Sequence, residues 1–131
     1  MHVRTTVVLE RQGEPAFPRS GLSPNEVARE LLELDGSRDV TVIVSPEGGD
    51  EHLMIAIDGS RAFLGLERSD GLLQFTVRNP DQERKTSPFT IGGQESEIET
   101  RYLTDLTTAA VVVEEWLEGG ESSTQGYWER Q

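Results

Sequence analysis

The sequence predicts an α+β domain: a single antiparallel sheet of about five or six strands in a meander, with two helices packed on one face. Three observations carry this expectation. From Asp39 to Val77, apolar residues recur at period two and are interrupted only by short turns at 46–50, Asp58-Gly59 and Asp70-Gly71. Connections that short allow antiparallel hairpins and exclude parallel crossovers. Two flanking segments, one after Ser23 and one before Gly119, show helical spacing instead. Finally, 131 residues suffice for one core and not for two, so 1–131 is read as a single domain.

Taken in order, His2 to Glu10 alternates Val3, Thr5, Val7 and Leu9 with Arg4, Thr6 and Val8, the pattern of a half-buried strand. Arg11 to Leu22 contains Pro15, Pro18, Gly13 and Gly21 and reads as a loop. Ser23-Pro24-Asn25-Glu26 is a helix start, with a capping hydroxyl, a proline at the first helical position and a glutamate placed to reach back to the cap. The helix is expected over Pro24–Leu34, with Val27, Ala28, Leu31, Leu32 and Leu34 as its apolar stripe. Four strands follow, inward-facing at Val40, Val42 and Val44, at Leu53, Ile55 and Ile57, at Ala62, Leu64 and Leu66, and at Leu73, Phe75 and Val77. Arg78 to Pro88 is polar, carries the basic residues Arg78, Arg84 and Lys85, and reads as an exposed loop. Phe89 to Ile91 can add a strand before Gly92-Gly93.

The second helix is expected from Thr104 or Asp105, either of which can cap, to about Glu118. Leu106, Ala109, Ala110, Val113, Trp116 and Leu117 form its packing face. Two features conflict with local preference. Val111, Val112 and Val113 are β-branched and need tertiary burial to be held in a helix. Glu114, Glu115 and Glu118 lie where the helix dipole disfavours anions, at a cost of a few tenths of a kcal/mol each. In the tail, Tyr127 and Trp128 are either core plugs closing over the sheet or interface anchors, with the core reading leading for Trp128.

The charge balance narrows the possible partners. With 24 Asp and Glu against 12 Lys and Arg, the formal net charge is −12. Such a surface repels nucleic acid and anionic membranes; it either serves simply to maintain solubility or complements a basic protein. No cysteine is present, which removes disulfides and thiolate metal sites. The first residues lack the apolar core of a signal peptide, and no apolar run is long enough to span a bilayer, so a soluble cytoplasmic protein is expected.

No catalytic constellation emerges, and the chain is read as a non-enzyme without metal or cofactor. His2 and His52 are isolated, whereas a zinc site needs further ligands and usually close spacing. Gly48-Gly49, Gly92-Gly93 and Gly119-Gly120 do not open a helix as a phosphate loop does, and no GKS or GKT follows them. A nucleophile elbow of GxSxG form is absent. Glu95, Glu97 and Glu99 alternate, so an extended backbone places all three on one face. That row is either a solvated strand guarding against aggregation or an anionic stripe that meets a basic partner.

The C-terminal residues resemble the Imm1 family of bacterial immunity proteins. The resemblance rests on Gly92-Gly93, Glu97-Ile98-Glu99, Ala109-Ala110, Trp116, Gly119-Gly120 and Trp128, in that order along the chain. Residues 121–126 lack the proline that family members commonly carry there. The resemblance implies a small cytoplasmic antidote that binds a cognate secreted toxin, often a deaminase or nuclease, without chemistry of its own. The expected partner is then a toxin domain with a basic cleft, and the expected free state is a monomer or weak dimer. The candidate contact residues are Glu95, Glu97 and Glu99, helped by Glu114, Glu115 and Glu118 and by Glu47, Asp50 and Glu51 in the first hairpin turn. An acidic secretion chaperone and a small enzyme or ligand-binding domain are the alternatives.

Overall fold

The computed structural model describes residues 5–11, 17–46, 50–77, 85–120 and 123–131, with side chains from residue 20 onward. The described residues form ten strands: β1 (Thr5–Arg11), β2 (Phe17–Leu22), β3 (Val40–Pro46), β4 (His52–Asp58), β5 (Arg61–Arg68), β6 (Gly71–Val77), β7 (Thr86–Ile91), β8 (Gln94–Glu99), β9 (Leu103–Asp105) and β10 (Gly126–Arg130). They also form two helices, α1 (Pro24–Leu32) and α2 (Leu106–Gly119), and a short 3₁₀ turn at Thr100–Tyr102. The fold is α+β, with an antiparallel sheet and both helices on one of its faces.

The expected meander forms the centre of the sheet. Strands β3 to β6 pair in sequence order, each antiparallel to the next. The sheet extends beyond it to eight strands, in the order β10-β6-β5-β4-β3-β1-β2, with β9 also on β5. One edge of β5 is shared: Arg61–Phe63 pair with β9, and Gly65–Arg68 pair with β6.

Three of the added strands, β2, β9 and β10, were not anticipated from the sequence. Phe17–Leu22, expected within a loop, pairs with β1 at the sheet edge. An edge strand tolerates a proline such as Pro18, because a backbone N–H there need not be donated to a ladder. Gly21 has φ +76 and accompanies a register shift between Thr5 and Thr6, so the glycine marks an irregularity in a strand rather than a break in structure. The aromatic tail is likewise a strand, β10, paired along β6. Trp128 packs against the core and meets Phe75 edge-to-face, ring centroids 5.4 Å apart.

The helix signals are realised locally. Ser23 Oγ accepts from the Glu26 N–H at 3.2 Å, and Glu26 Oε1 accepts from the Ser23 N–H at 3.0 Å, a complete capping box. Helix α1 ends at Leu32, two residues short of the expected Leu34, and Leu32 faces outward at 44% exposure while Leu34 remains buried. Asp105 caps α2, accepting from the Thr108 N–H at 2.7 Å. Val112 and Val113 are buried, whereas Val111 is 40% exposed, so tertiary burial supports two of the three valines.

Both helices pack against Val42, Val44, Leu53, Ile55, Ile57, Leu64, Leu66, Leu73 and Phe75, forming the main core. A second, smaller core lies on the opposite face. There the β7–β8 hairpin and the 3₁₀ turn place Phe89, Ile91, Ile98 and Tyr102 around Ala56, Phe63 and Leu103. The result is three layers: helices, sheet, hairpin. Among the described residues no helix is long and apolar enough to cross a membrane.

Close approach of backbone fixes one glycine. A Cβ at Gly126 would lie 2.1 Å from the Thr76 carbonyl oxygen and 2.6 Å from Phe75 Cζ, whereas one at Gly119 would meet open space. Gly126→Ala should therefore lower the unfolding free energy by about 2 kcal/mol or more, read from the urea midpoint, and Gly119→Ala should be neutral or slightly stabilising.

Candidate functional site

The outer hairpin presents the acidic row. In β8 the side chains of Gln94, Ser96 and Ile98 point toward the sheet and those of Glu95, Glu97 and Glu99 point away, as the strand period requires. Residues Gln94 to Glu97 are exposed on both faces of the strand. Neighbouring positions on the outward face are Thr86, Pro88 and Thr90 of β7, which carry no charge to oppose the carboxylates. Glu97 accepts only a long bond, 3.4 Å, from the Thr86 hydroxyl. Glu99 stands 3.6 Å from Arg101 Nε and is partly neutralised.

The hairpin is held on the sheet by one tight turn. Asp58, Gly59, Ser60 and Arg61 join β4 to β5, with Gly59 at φ +75. Asp58 Oδ2 accepts from the Thr90 N–H at 3.1 Å, and Asp58 Oδ1 accepts from Arg38 at 3.1 Å. Arg61 donates to the Ser87 hydroxyl and to the Pro88 carbonyl, both at 2.7 Å, and lies over the Phe89 ring. The same turn binds both helices through its backbone. Gly59 exchanges bonds with Ser37 and Gly36 after α1, and the Ser60 carbonyl accepts from the Leu106 N–H at the start of α2.

A second polar cluster fastens the last strand. Arg101 donates to both oxygens of Glu129, at 2.6 and 3.2 Å, while the hydroxyls of Tyr102 and Thr76 also donate to that carboxylate. Arg101 also hydrogen-bonds the Tyr102 hydroxyl and lies over its ring. The bond from Arg101 outweighs partial burial and holds the Glu129 carboxyl below its usual range. Burial, followed by the bond to Glu129, pushes the Tyr102 hydroxyl upward.

The remaining candidate residues do not join the row. Glu114, Glu115 and Glu118 are on α2, which packs on the other face of the sheet, so the fold sets the two glutamate groups in different layers. Glu115 has a structural task instead. Its carboxylate accepts from the Ser123 hydroxyl at 2.7 Å and from the Thr124 hydroxyl and N–H at 2.8 and 3.1 Å, pinning the turn into β10. Burial opposes the charge of Glu115, and these bonds overcome it, so its pKa lies below the ordinary glutamate value. Asp50 and Glu51 line a concavity of about 520 Å³ at the end of the sheet with Pro46, Arg68, Ser69 and Asp70. There Asp70 is bound by Arg68 and Arg130, at 3.4 and 3.2 Å. Glu47 and His2 lie outside the described residues. His52 is exposed on β4 and pairs with the Ser45 hydroxyl, 2.7 Å from Nδ1.

Among the described residues, no group of three histidine or carboxylate side chains is close enough to hold a metal ion. Asp58, Arg61, Arg101 and Glu129 were not singled out from the sequence. Asp58-Gly59 signalled a turn, yet its partners are 20 to 32 residues away and leave no local pattern. No protein-family model matches the chain, and no curated protein matches it significantly.

The Asp58 carboxylate gives a pH test. Burial raises its pKa, but the bonds from Arg38 and Thr90 and the charges of Arg38 and Arg61 together bring it below the unfolded value of 3.8. A depressed carboxyl contributes stability above the unfolded pKa and loses it as pH falls through the folded one. Asp58→Asn should cost about 2 kcal/mol at pH 7. The gap to the wild type, measured by urea unfolding, should shrink as pH falls below 3.8.

Proposed function

We propose that this protein is a non-enzymatic antidote that binds a basic toxin domain, with Glu95 and Glu97 of β8 at the centre of the contact. The observation that carries this reading is the outward face of the hairpin. Two carboxylates at period two stand on an exposed strand with little internal neutralisation, on a platform tied to the sheet by Asp58 and Arg61. Glu115 shows the contrast, since both of its oxygens are used inside the fold. A fixed row of negative charge on a chain of net charge −12 steers a basic partner toward it and gives no help to a neutral or acidic one.

The order of Gly92-Gly93, Glu97-Ile98-Glu99, Trp116 and Trp128, which resembles Imm1 immunity proteins, points to the same kind of partner. A toxin that handles nucleic acid carries a basic cleft, and an acidic ribbon fits such a cleft without catalysis. A cytoplasmic site of action belongs to this reading, in keeping with the cysteine-free composition.

The test is protection of cells in which this chain is co-expressed with a basic nuclease or deaminase toxin domain. The double variant Glu95→Lys with Glu97→Lys should lose protection by 100-fold or more in plating efficiency, while its melting temperature stays within about 2 °C of wild type, as expected for exposed positions away from structural contacts. Full protection by that variant would remove the row from the interface. Glu99 is left in place because it faces Arg101. The association rate constant with the purified domain should fall at least tenfold between low and physiological salt, since screening shortens the reach of exposed charges. A rate indifferent to salt would exclude steering.

A further inference from the structure

The two edges of the β7–β8 hairpin are treated differently by the fold. Within the ladder, Ser87, Phe89 and Ile91 stand opposite Ile98, Ser96 and Gln94, and the Thr100 N–H donates to the Lys85 carbonyl at 2.9 Å. In an antiparallel pair, the N–H and C=O of one residue point to the same side, and bonded and non-bonded pairs alternate. Odd residues of β7 and even residues of β8 therefore bond each other, and the main-chain groups of Pro88, Thr90, Glu95, Glu97 and Glu99 point out of the hairpin. On the β7 side two of these three groups are taken: the Pro88 carbonyl accepts from Arg61, and the Thr90 N–H donates to Asp58. On the β8 side, the N–H and C=O of Glu95 and Glu97 have no partner among the described residues.

We infer that the outer edge of β8 is a docking site for one extended, basic segment, which adds as a third, antiparallel strand. This rests on the reading of the acidic row as the contact surface, and it specifies what the partner presents. A residue opposite Glu95 or Glu97 would exchange both main-chain bonds with it and place its own side chain on the same outward face. Lysine or arginine at every second position would then meet the carboxylates one by one. The intervening side chains would lie on the other face, beside the exposed Gln94 and Ser96, where polar residues suffice. Main-chain pairing supplies affinity in such additions and alternate side chains supply selection. Charges on an open edge also guard against self-association. Glutamate opposite glutamate repels a second copy of this strand, while the same row attracts a basic one, so guarding and selective docking are served by the same residues.

Blocked seven-residue peptides of alternating lysine and threonine, added to the full ¹⁵N-labelled chain, test the inference. Hydrogen exchange at the Glu95 and Glu97 amides should slow at least tenfold on binding. Methylation of the lysine backbone nitrogens, which would face β8, should weaken binding at least tenfold, whereas methylation of the threonine nitrogens, which would face solvent, should leave it unchanged. Replacing the lysines with serine should abolish binding. Glu97→Pro removes an edge donor that the hairpin does not use, so it should keep the fold and lose more affinity than Glu97→Gln. Equal binding by the two methylated peptides would overturn strand addition and leave a purely electrostatic antidote standing. Unchanged exchange at Glu95 and Glu97, or binding at the Asp50–Asp70 concavity, would overturn the site. Peptide pairing as described, with no neutralisation of any toxin, would sink the proposed function and leave the docking edge intact.

Discussion

The arrangement of this protein depends on the turn from Asp58 to Arg61. Gly59 supplies the positive φ that closes it, and four residues then bind three separate parts of the chain. Its backbone meets the end of α1 and the start of α2, while its two charged side chains reach the opposite face and hold β7. The helices pack on one face of the sheet and the hairpin on the other. A tight turn at the end of the central hairpin has access to both faces, which is why both layers are fastened there.

The hydrogen bonds involved are not equivalent to surface ion pairs. Asp58 is 8% exposed and its oxygens are matched to a backbone N–H and a guanidinium, so its charge is compensated where water cannot do so. Arg61 is used for geometry as much as for charge, since its planar fork spans the Ser87 hydroxyl and the Pro88 carbonyl together. The Arg101–Glu129 pair has the same two-pronged form and fastens the sheet's last strand to the 3₁₀ turn.

The glutamates divide according to what surrounds them. Glu115 resembled a surplus charge at an unfavourable helix end, and the fold uses it to bind the hydroxyls and N–H of the turn at 123–124. The local cost from the helix dipole is offset by those bonds. Glu95 and Glu97 carry the same chemistry on an exposed strand and are left with little to do inside the fold. Acidity read from composition could not separate these cases, because the difference lies in which donors the folded chain brings to each carboxylate.

By itself the sequence determined most of what depends on the nearest neighbours. The capping box at Ser23, the Asp105 cap, the glycine turns, the inward rows of β3 to β6 and the shared face of Glu95, Glu97 and Glu99 follow from periods of 3.6 and 2 and from contacts between residues a few positions apart. The tertiary structure alone decided the rest. It made strands of Phe17–Leu22 and Gly126–Arg130, since an edge partner can recruit residues with weak local preference. It set the α2 glutamates and the β8 glutamates on opposite faces, and it bound one edge of the hairpin while leaving the other without a partner among the described residues. Those outcomes turn on pairings between residues 8 to 57 positions apart, and such pairings impose no period on the chain that could be read in advance.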